Sequence, residues 1–152
     1  MANAQALSTS FKVDLLNGLH AFGTTVVRGA TTKDSFKGAL YLASGSLGAA
    51  TTAYSATSEV SGTGYTAGGA AITNATAPSS SGTTAFWTPS ASISWTTVTL
   101  GTAFDALNMY NDTAAGKNSV GVYTFGSQTI TAGNFTLTMP TNDASTGLIR
   151  LA

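Results

Sequence analysis

The chain has 152 residues, enough for one domain with a core of its own. Ala, Thr, Ser and Gly supply 86 of them. Only 12 residues are charged, six of each sign, a composition that argues against a surface built to neutralise nucleic-acid phosphates. No cysteine is present, which excludes disulfide scaffolds, zinc ribbons and thiol catalysis. The 14 aromatics and 27 threonines separate the composition from that of a disordered chain.

In chain order, the segment Met1–Leu7 carries no basic region, and no stretch approaches the roughly 20 apolar residues of a membrane span. The expectation is a soluble chain made in the cytoplasm, with no membrane partner. Leu7, Phe11, Leu15, Leu19 and Phe22 recur at helical spacing and predict a helix over about 8–22, with Ser8 or Ser10 as N-cap and Gly23 past its end. Its apolar face packs on the chain's own sheet or on a neighbouring subunit. From residue 24 the period falls toward two. Thr24–Arg28 reads as a short strand. Phe36–Ala43 reads as another, with Phe36, Leu40 and Leu42 on one face and Lys37, Ala39 and Tyr41 on the other.

Residues 44–53 read as a loop, and Tyr54–Val60 leads into a run with glycines at 62, 64, 68 and 69, which allow positive φ and close backbone approach. Ala70–Asn74 is a short strand, and 75–84 an exposed loop or hairpin tip. In 92–100 the apolar phase switches between Trp95 and Val98, which predicts a β-bulge or a strand covered on both faces. Phe104–Tyr110 and Val120–Phe125 read as further strands. Thr129–Thr131 and Phe135–Met139 read as the arms of a hairpin closed by Ala132-Gly133-Asn134. Gly147–Ala152 is a final strand. The whole predicts a mainly β chain: a single antiparallel β-sandwich domain over 1–152, jelly-roll-like, with one short N-terminal helix.

Chemistry is sparse along this pattern. His20 is the lone histidine, and the six carboxylates are scattered singly, so neither a catalytic triad nor a paired acid and base is spelled out. Asn111-Asp112 and Asn142-Asp143 lack the spacing of a calcium loop and read as turn formers. The triplets Thr97-Val98-Thr99, Thr129-Ile130-Thr131 and Thr136-Leu137-Thr138 sit at irregular intervals, unlike the ranks of a flat ice-binding face. Glu59, just before the glycine run, either hydrogen-bonds turn amides, meets a basic partner, or is a solvated strand end. The expectation is no enzyme, no cofactor and no metal.

Certain pieces, taken together, resemble small structural proteins of tailed bacteriophages. They are Ala39–Ala43, Ser58-Glu59-Val60-Ser61-Gly62-Thr63-Gly64-Tyr65-Thr66-Ala67-Gly68-Gly69, Ile93–Leu100, Phe104-Asp105-Ala106, Met109-Tyr110-Asn111, Phe125-Gly126, Gly133–Leu137 and Leu148–Ala152. They span roughly residues 36–152 in order. The resemblance implies a virion component, most closely a capsid decoration (cement) protein on the capsid surface. Its partner would be the major capsid protein, and it would self-associate as a dimer or trimer. The alternative is a tail, fibre or neck-associated component involved in host attachment. Candidate contacts are the apolar face Phe11, Leu15, Leu19 and Phe22, the turn residues Glu59 and Tyr65, and Trp87. For the helix face and for Trp87, packing into the chain's own core is the competing expectation.

Overall fold

The computed structural model describes residues 2–8, 11, 15, 19–22 and 33–151. Among these residues eight strands follow one another: β1 (Ala6–Leu7), β2 (Phe36–Leu42), β3 (Ala70–Ile72), β4 (Ser79–Ser81), β5 (Thr84–Trp87), β6 (Ile93–Asn111), β7 (Ser119–Leu137) and β8 (Ile149–Leu151). They form a five-stranded sheet of order β1-β7-β6-β2-β3 and a three-stranded sheet of order β4-β5-β8. Every pairing is antiparallel. The chain is mainly β, and the arrangement is consistent with a sandwich.

The centre of the fold is the β6–β7 hairpin, whose arms are 19 residues each. Straight strands of that length would run about 60 Å. Instead the hairpin bends back on itself. Ile93 and Leu107, which a straight strand would hold roughly 46 Å apart, both reach the same point above Gly38 in β2. The bends fall at register shifts between Trp95 and Val98, Leu100 and Phe104, and Phe104 and Ala106. Two non-glycine residues with left-handed backbone sit in the arms of the hairpin, Thr97 (φ 54) and Ala132 (φ 45), and a third, Lys117 (φ 47), in its connecting turn. Each bulge turns the strand, so Trp95, Val98 and Leu100 pack in one core with Leu107, Met109 and Val120.

β2 has apolar residues on both faces because both faces are covered. Phe36 and Leu40 enter the main core, whereas Ala39 and Tyr41 join Ala106, Tyr110 and Val122 in a second cluster beneath Leu47 and Tyr54. The loop between β2 and β3 lies over that second face.

Several expectations are corrected here. Ala132-Gly133-Asn134 is no hairpin loop but a bulge inside the continuous β7, with Gly133 opposite Val98. The strands expected in 92–100 and 104–110 likewise merge into one, β6, which begins at Ile93. The bulge expected from the phase switch is present at Thr97. The helix expected over 8–22 falls largely outside the described residues. Phe11 and Leu15 carry helical backbone, residues 19–22 do not, and no helix is among the described elements. The strand expected at Thr24–Arg28 lies outside the described residues.

Candidate functional site

The densest set of polar side chains is built on Glu59. The stretch 58–60 runs beside the end of β2, with Leu42 N donating to Ser58 O at 2.9 Å and Val60 N donating to Leu40 O at 3.0 Å. This docking aims the Glu59 side chain across the loop. Tyr54 donates to Glu59 Oε2 at 2.7 Å, while Tyr65 Oη (2.8 Å) and Gly68 N (2.7 Å) donate to Oε1. The Tyr65 hydroxyl also accepts from Leu40 N at 3.0 Å, tying the turn to β2. Tyr110 donates to Gly68 O at 2.8 Å, and Tyr41 donates to Ser55 O. Four of the five tyrosines thus converge on one carboxylate and its loop.

Burial, followed by the Glu59 bond and charge, pushes the Tyr54 phenol up to about 12. Burial also raises Tyr41, Tyr65 and Tyr110, with the Glu59 charge adding to each. These phenols are donors over the neutral range, not bases. Their chemistry is to hold an anion in place, and the anion here belongs to the chain itself.

Three glycines of the run are required by contact, Gly64 (φ 79) among them, whose Cβ would lie 2.6 Å from Thr97 O. A Cβ on Gly69 (φ 76) would lie 1.9 Å from Gly38 O, and one on Gly62 would lie 2.0 Å from Thr99 O. The turn therefore clamps β2 on one side and β6 on the other, with Thr99 N donating to Thr63 O at 2.9 Å.

The second gathering is aromatic. Phe22 stacks on Phe36 with centroids 4.9 Å apart and meets Trp87 at 4.8 Å, and Phe11 contacts the rings of His20 at 5.0 Å and Phe22 at 6.0 Å. Phe11 and Trp87 are buried, and Leu15 and Phe22 are partly buried against the same core. Trp87 Nε1 donates to Thr76 O at 2.9 Å. At these positions the chain follows the core-packing expectation; Leu19 is partly buried. An apolar crevice of about 180 Å³ remains between Phe11, Leu15, Phe22, Phe86, Trp87 and Leu151.

His20 stands beside this cluster. Its Nδ1 lies 3.3 Å from Asn111 Nδ2, which donates to buried Asp34 Oδ2 at 2.8 Å, and Asp34 Oδ2 also accepts from Ala21 N at 3.0 Å. The carboxylate holds backbone and Asn111, and Asn111 in turn accepts from Thr113 N and Ala114 N to form the β6–β7 turn. At that turn Asp112 contacts Lys117 and Lys37, whose hydrogen bonds hold its carboxyl below the usual carboxylate range. Asp143 is likewise lowered by the amide and hydroxyl of Thr146 and the amide of Ser145. Both Asn-Asp pairs are therefore turn formers, as their sequence implied.

Sequence reasoning singled out Glu59 and Tyr65 but missed Tyr41, Tyr54 and Tyr110. Tyr41 and Tyr110 come from strands far apart in the chain, so no local spacing marks them. Among the described residues, no three His, Asp or Glu side chains gather as metal ligands, and no helix is long and apolar enough to cross a membrane. A depression of about 550 Å³ is lined by Gln5, Leu7, Thr84, Tyr123, Thr146 and Arg150 among others, with no carboxylate. No family model, curated protein or solved structure matches the chain.

Proposed function

We propose that the chain is a structural protein of a tailed-bacteriophage virion, a capsid decoration (cement) protein that binds the major capsid shell and stabilises it. The observation that carries this reading is the use made of the segment Ser58–Gly69, the most distinctive part of the resemblance. Its polar and glycine residues act as framework. Glu59 spends both carboxylate oxygens on Tyr54, Tyr65 and Gly68, and the glycines let the turn lie against β2 and β6. A cement protein needs a rigid shape repeated over many equivalent sites, and each copy gains strength by bridging several subunits. Charge balanced at six and six leaves little long-range repulsion between copies crowded on a shell.

The test is to count copies per particle by quantitative mass spectrometry of purified virions, relative to the major capsid protein. Copies in the hundreds are the expected result. A dozen or so would move the protein to the tail, fibre or neck and make host attachment the better reading. Absence from the particle would remove both.

A further inference from the structure

We propose that the depression walled by both sheets binds a small carboxylate with an apolar body, held by the Tyr123 hydroxyl and the Arg150 guanidinium. The site is a property of this chain alone and stands independently of the virion reading.

Tyr41, Tyr54, Tyr65 and Tyr110 all use their hydroxyls on the Glu59 loop. Tyr123, the fifth tyrosine, does not. Its hydroxyl oxygen, on β7, is shielded from solvent and has no hydrogen-bond partner among the described residues. Burial alone raises this phenol, so it stays a proton donor through the neutral range. A buried donor without an acceptor is destabilising, and phenylalanine would fill the same space without that cost. The strand also makes room for the hydroxyl. Gly121 stands two residues earlier on the same strand face, where a Cβ would lie 3.4 Å from the Tyr123 oxygen and 3.3 Å from Ala6 O. The phenol is thus turned toward β1, where Gln5 and Leu7 wall the depression of about 550 Å³.

The chemistry of the ligand follows from the rest of that wall. Among the described residues Arg150, on β8, is its only charged side chain. One guanidinium N–H donates to Ser145 O, which leaves the other donors of the fork for a ligand. Asp143, whose carboxyl the Arg150 charge helps to lower, does not take them up. Its oxygens accept from Ser145 N, Thr146 N and Thr146 Oγ1 instead. A phenol donor and a cation in one wall match a carboxylate, which accepts at both oxygens and forms the stronger, charge-assisted bonds. A neutral acceptor would leave the guanidinium charge without a counterpart. Leu7, Pro140 and Leu148 supply apolar wall, which fits an apolar body behind the carboxylate, and the volume is that of a small-molecule site. A second, apolar cavity of about 120 Å³ shares Tyr123 and Leu148 as wall and gives both side chains room to shift as the carboxylate reaches the hydroxyl. Thr84 and Arg150 belong to the three-stranded sheet, Leu7 and Tyr123 to the five-stranded one, so a bound ligand braces the two.

The experiment uses the full chain and two probe pairs: hexanoate against hexanamide, and acetyl-leucine against its amide. Amide chemical shifts read binding and thermal unfolding reads stability. Hexanoate should shift the amides of Gln5, Thr84 and Arg150 saturably and raise the melting temperature. Hexanamide should bind roughly 10-fold more weakly or worse, for want of the charge-assisted bonds. Tyr123→Phe keeps the ring and therefore the fold. It should weaken hexanoate about 10-fold, while the free chain melts at the same temperature or higher because an unpaired buried hydroxyl has gone. Arg150→Gln, at an exposed position, should weaken hexanoate by a similar factor. Acetyl-leucine binding more tightly than hexanoate would support the site and assign it to the carboxylate end of a peptide; the reverse order would support it as a site for a free acid. No saturable shift with either acid overturns the proposal, as does equal binding of acid and amide, or binding indifferent to Tyr123→Phe. A Tyr123→Phe chain that melts lower than the original would mean that the hydroxyl serves the fold, and overturns it too.

Discussion

At the residue scale, Glu59 and the glycines that follow it are the positions where single atoms decide most. Glu59→Ala strips the acceptor from Tyr54, Tyr65 and Gly68 N at once, and hydrogen bonds to a charged group are worth more than neutral ones. The expected loss is about 2–4 kcal/mol in urea unfolding, against about half that for Glu59→Gln, which keeps one acceptor oxygen. A loss below about 0.5 kcal/mol for Glu59→Ala would show that the carboxylate is solvated rather than structural. Gly69→Ala and Gly82→Ala separate contact from conformation. Both glycines have positive φ, but the Gly69 Cβ would strike Gly38 O whereas that of Gly82 meets nothing within 4 Å. Gly82→Ala should cost about 1 kcal/mol, the ordinary penalty of left-handed backbone. Gly69→Ala should cost more than about 3 kcal/mol, because β2 and β3 must move apart. Equal melting temperatures for the two variants would remove the clamp from the account.

At the scale of elements, the bulges of β6 and β7 convert a hairpin too long for the domain into two facing layers. Thr97 is a β-branched residue with φ 54, held there while its N–H donates to Asn134 Oδ1 at 2.9 Å. Left-handed backbone costs an L-residue roughly 1–2 kcal/mol, and glycine removes that cost while adding about 0.5–1 kcal/mol of unfolded-state entropy. Thr97→Gly is therefore expected to leave stability unchanged or raise it by up to about 1 kcal/mol. Its exposed neighbour Thr96 lies outside the left-handed region, and Thr96→Gly should lower stability by about 1 kcal/mol for want of any strain to relieve. Thermal unfolding of the pair checks the claim; a loss at Thr97 equal to that at Thr96 would mean that the bulge stores no strain.

For the whole molecule, the titrating groups set an alkaline limit and a weaker acid one. Tyr41, Tyr54, Tyr65 and Tyr110 all have phenols raised above the ordinary value of 10.0, so the folded state holds their protons more tightly than the unfolded state does. Their contribution is full below pH 10 and is lost as the pH climbs through about 12, the Tyr54 value. Urea midpoints should be level through the neutral range and fall steeply above pH 10, with the tyrosinate absorbance appearing together with unfolding. Tyrosinate absorbance rising near pH 10 in a chain that is still folded would contradict the buried cluster. Asp112 has the opposite sign. Its carboxyl is lowered from 3.8 by Lys117 and Lys37, so its contribution is present above that value and lost as the pH falls below it. Because the lysines are well exposed, the acid limb should be shallow, and Asp112→Asn should cost less than about 1 kcal/mol.

What the sequence determined by itself is the class of the fold and the character of its local turns. Alternation in β2 and in Phe135–Leu137, the glycine run at 62–69 and the phase switch at Val98 are each written in neighbouring residues, because strand period and turn φ are local properties. The amide contact of Glu59 with Gly68, nine residues on, was one of three readings that the sequence left open, and the structure chose it. Only the tertiary structure decided where the strands end and what they meet. Residues 129–139 spell a hairpin by turn chemistry, yet β6 supplies a partner along the whole length, so the Ala132 turn becomes a bulge instead. Trp87 beside Pro89 carries no local sign of exposure or burial; the rings of Phe22 and Phe36, brought from elsewhere in the chain, decide it. Tyr110 reaches Gly68 for the same reason, as do Tyr41 and Ser55, and none of these pairs has a spacing that sequence can read. Burial and hydrogen-bond partners depend on long-range contacts, and chains this rich in antiparallel pairing make most of theirs between residues far apart in sequence.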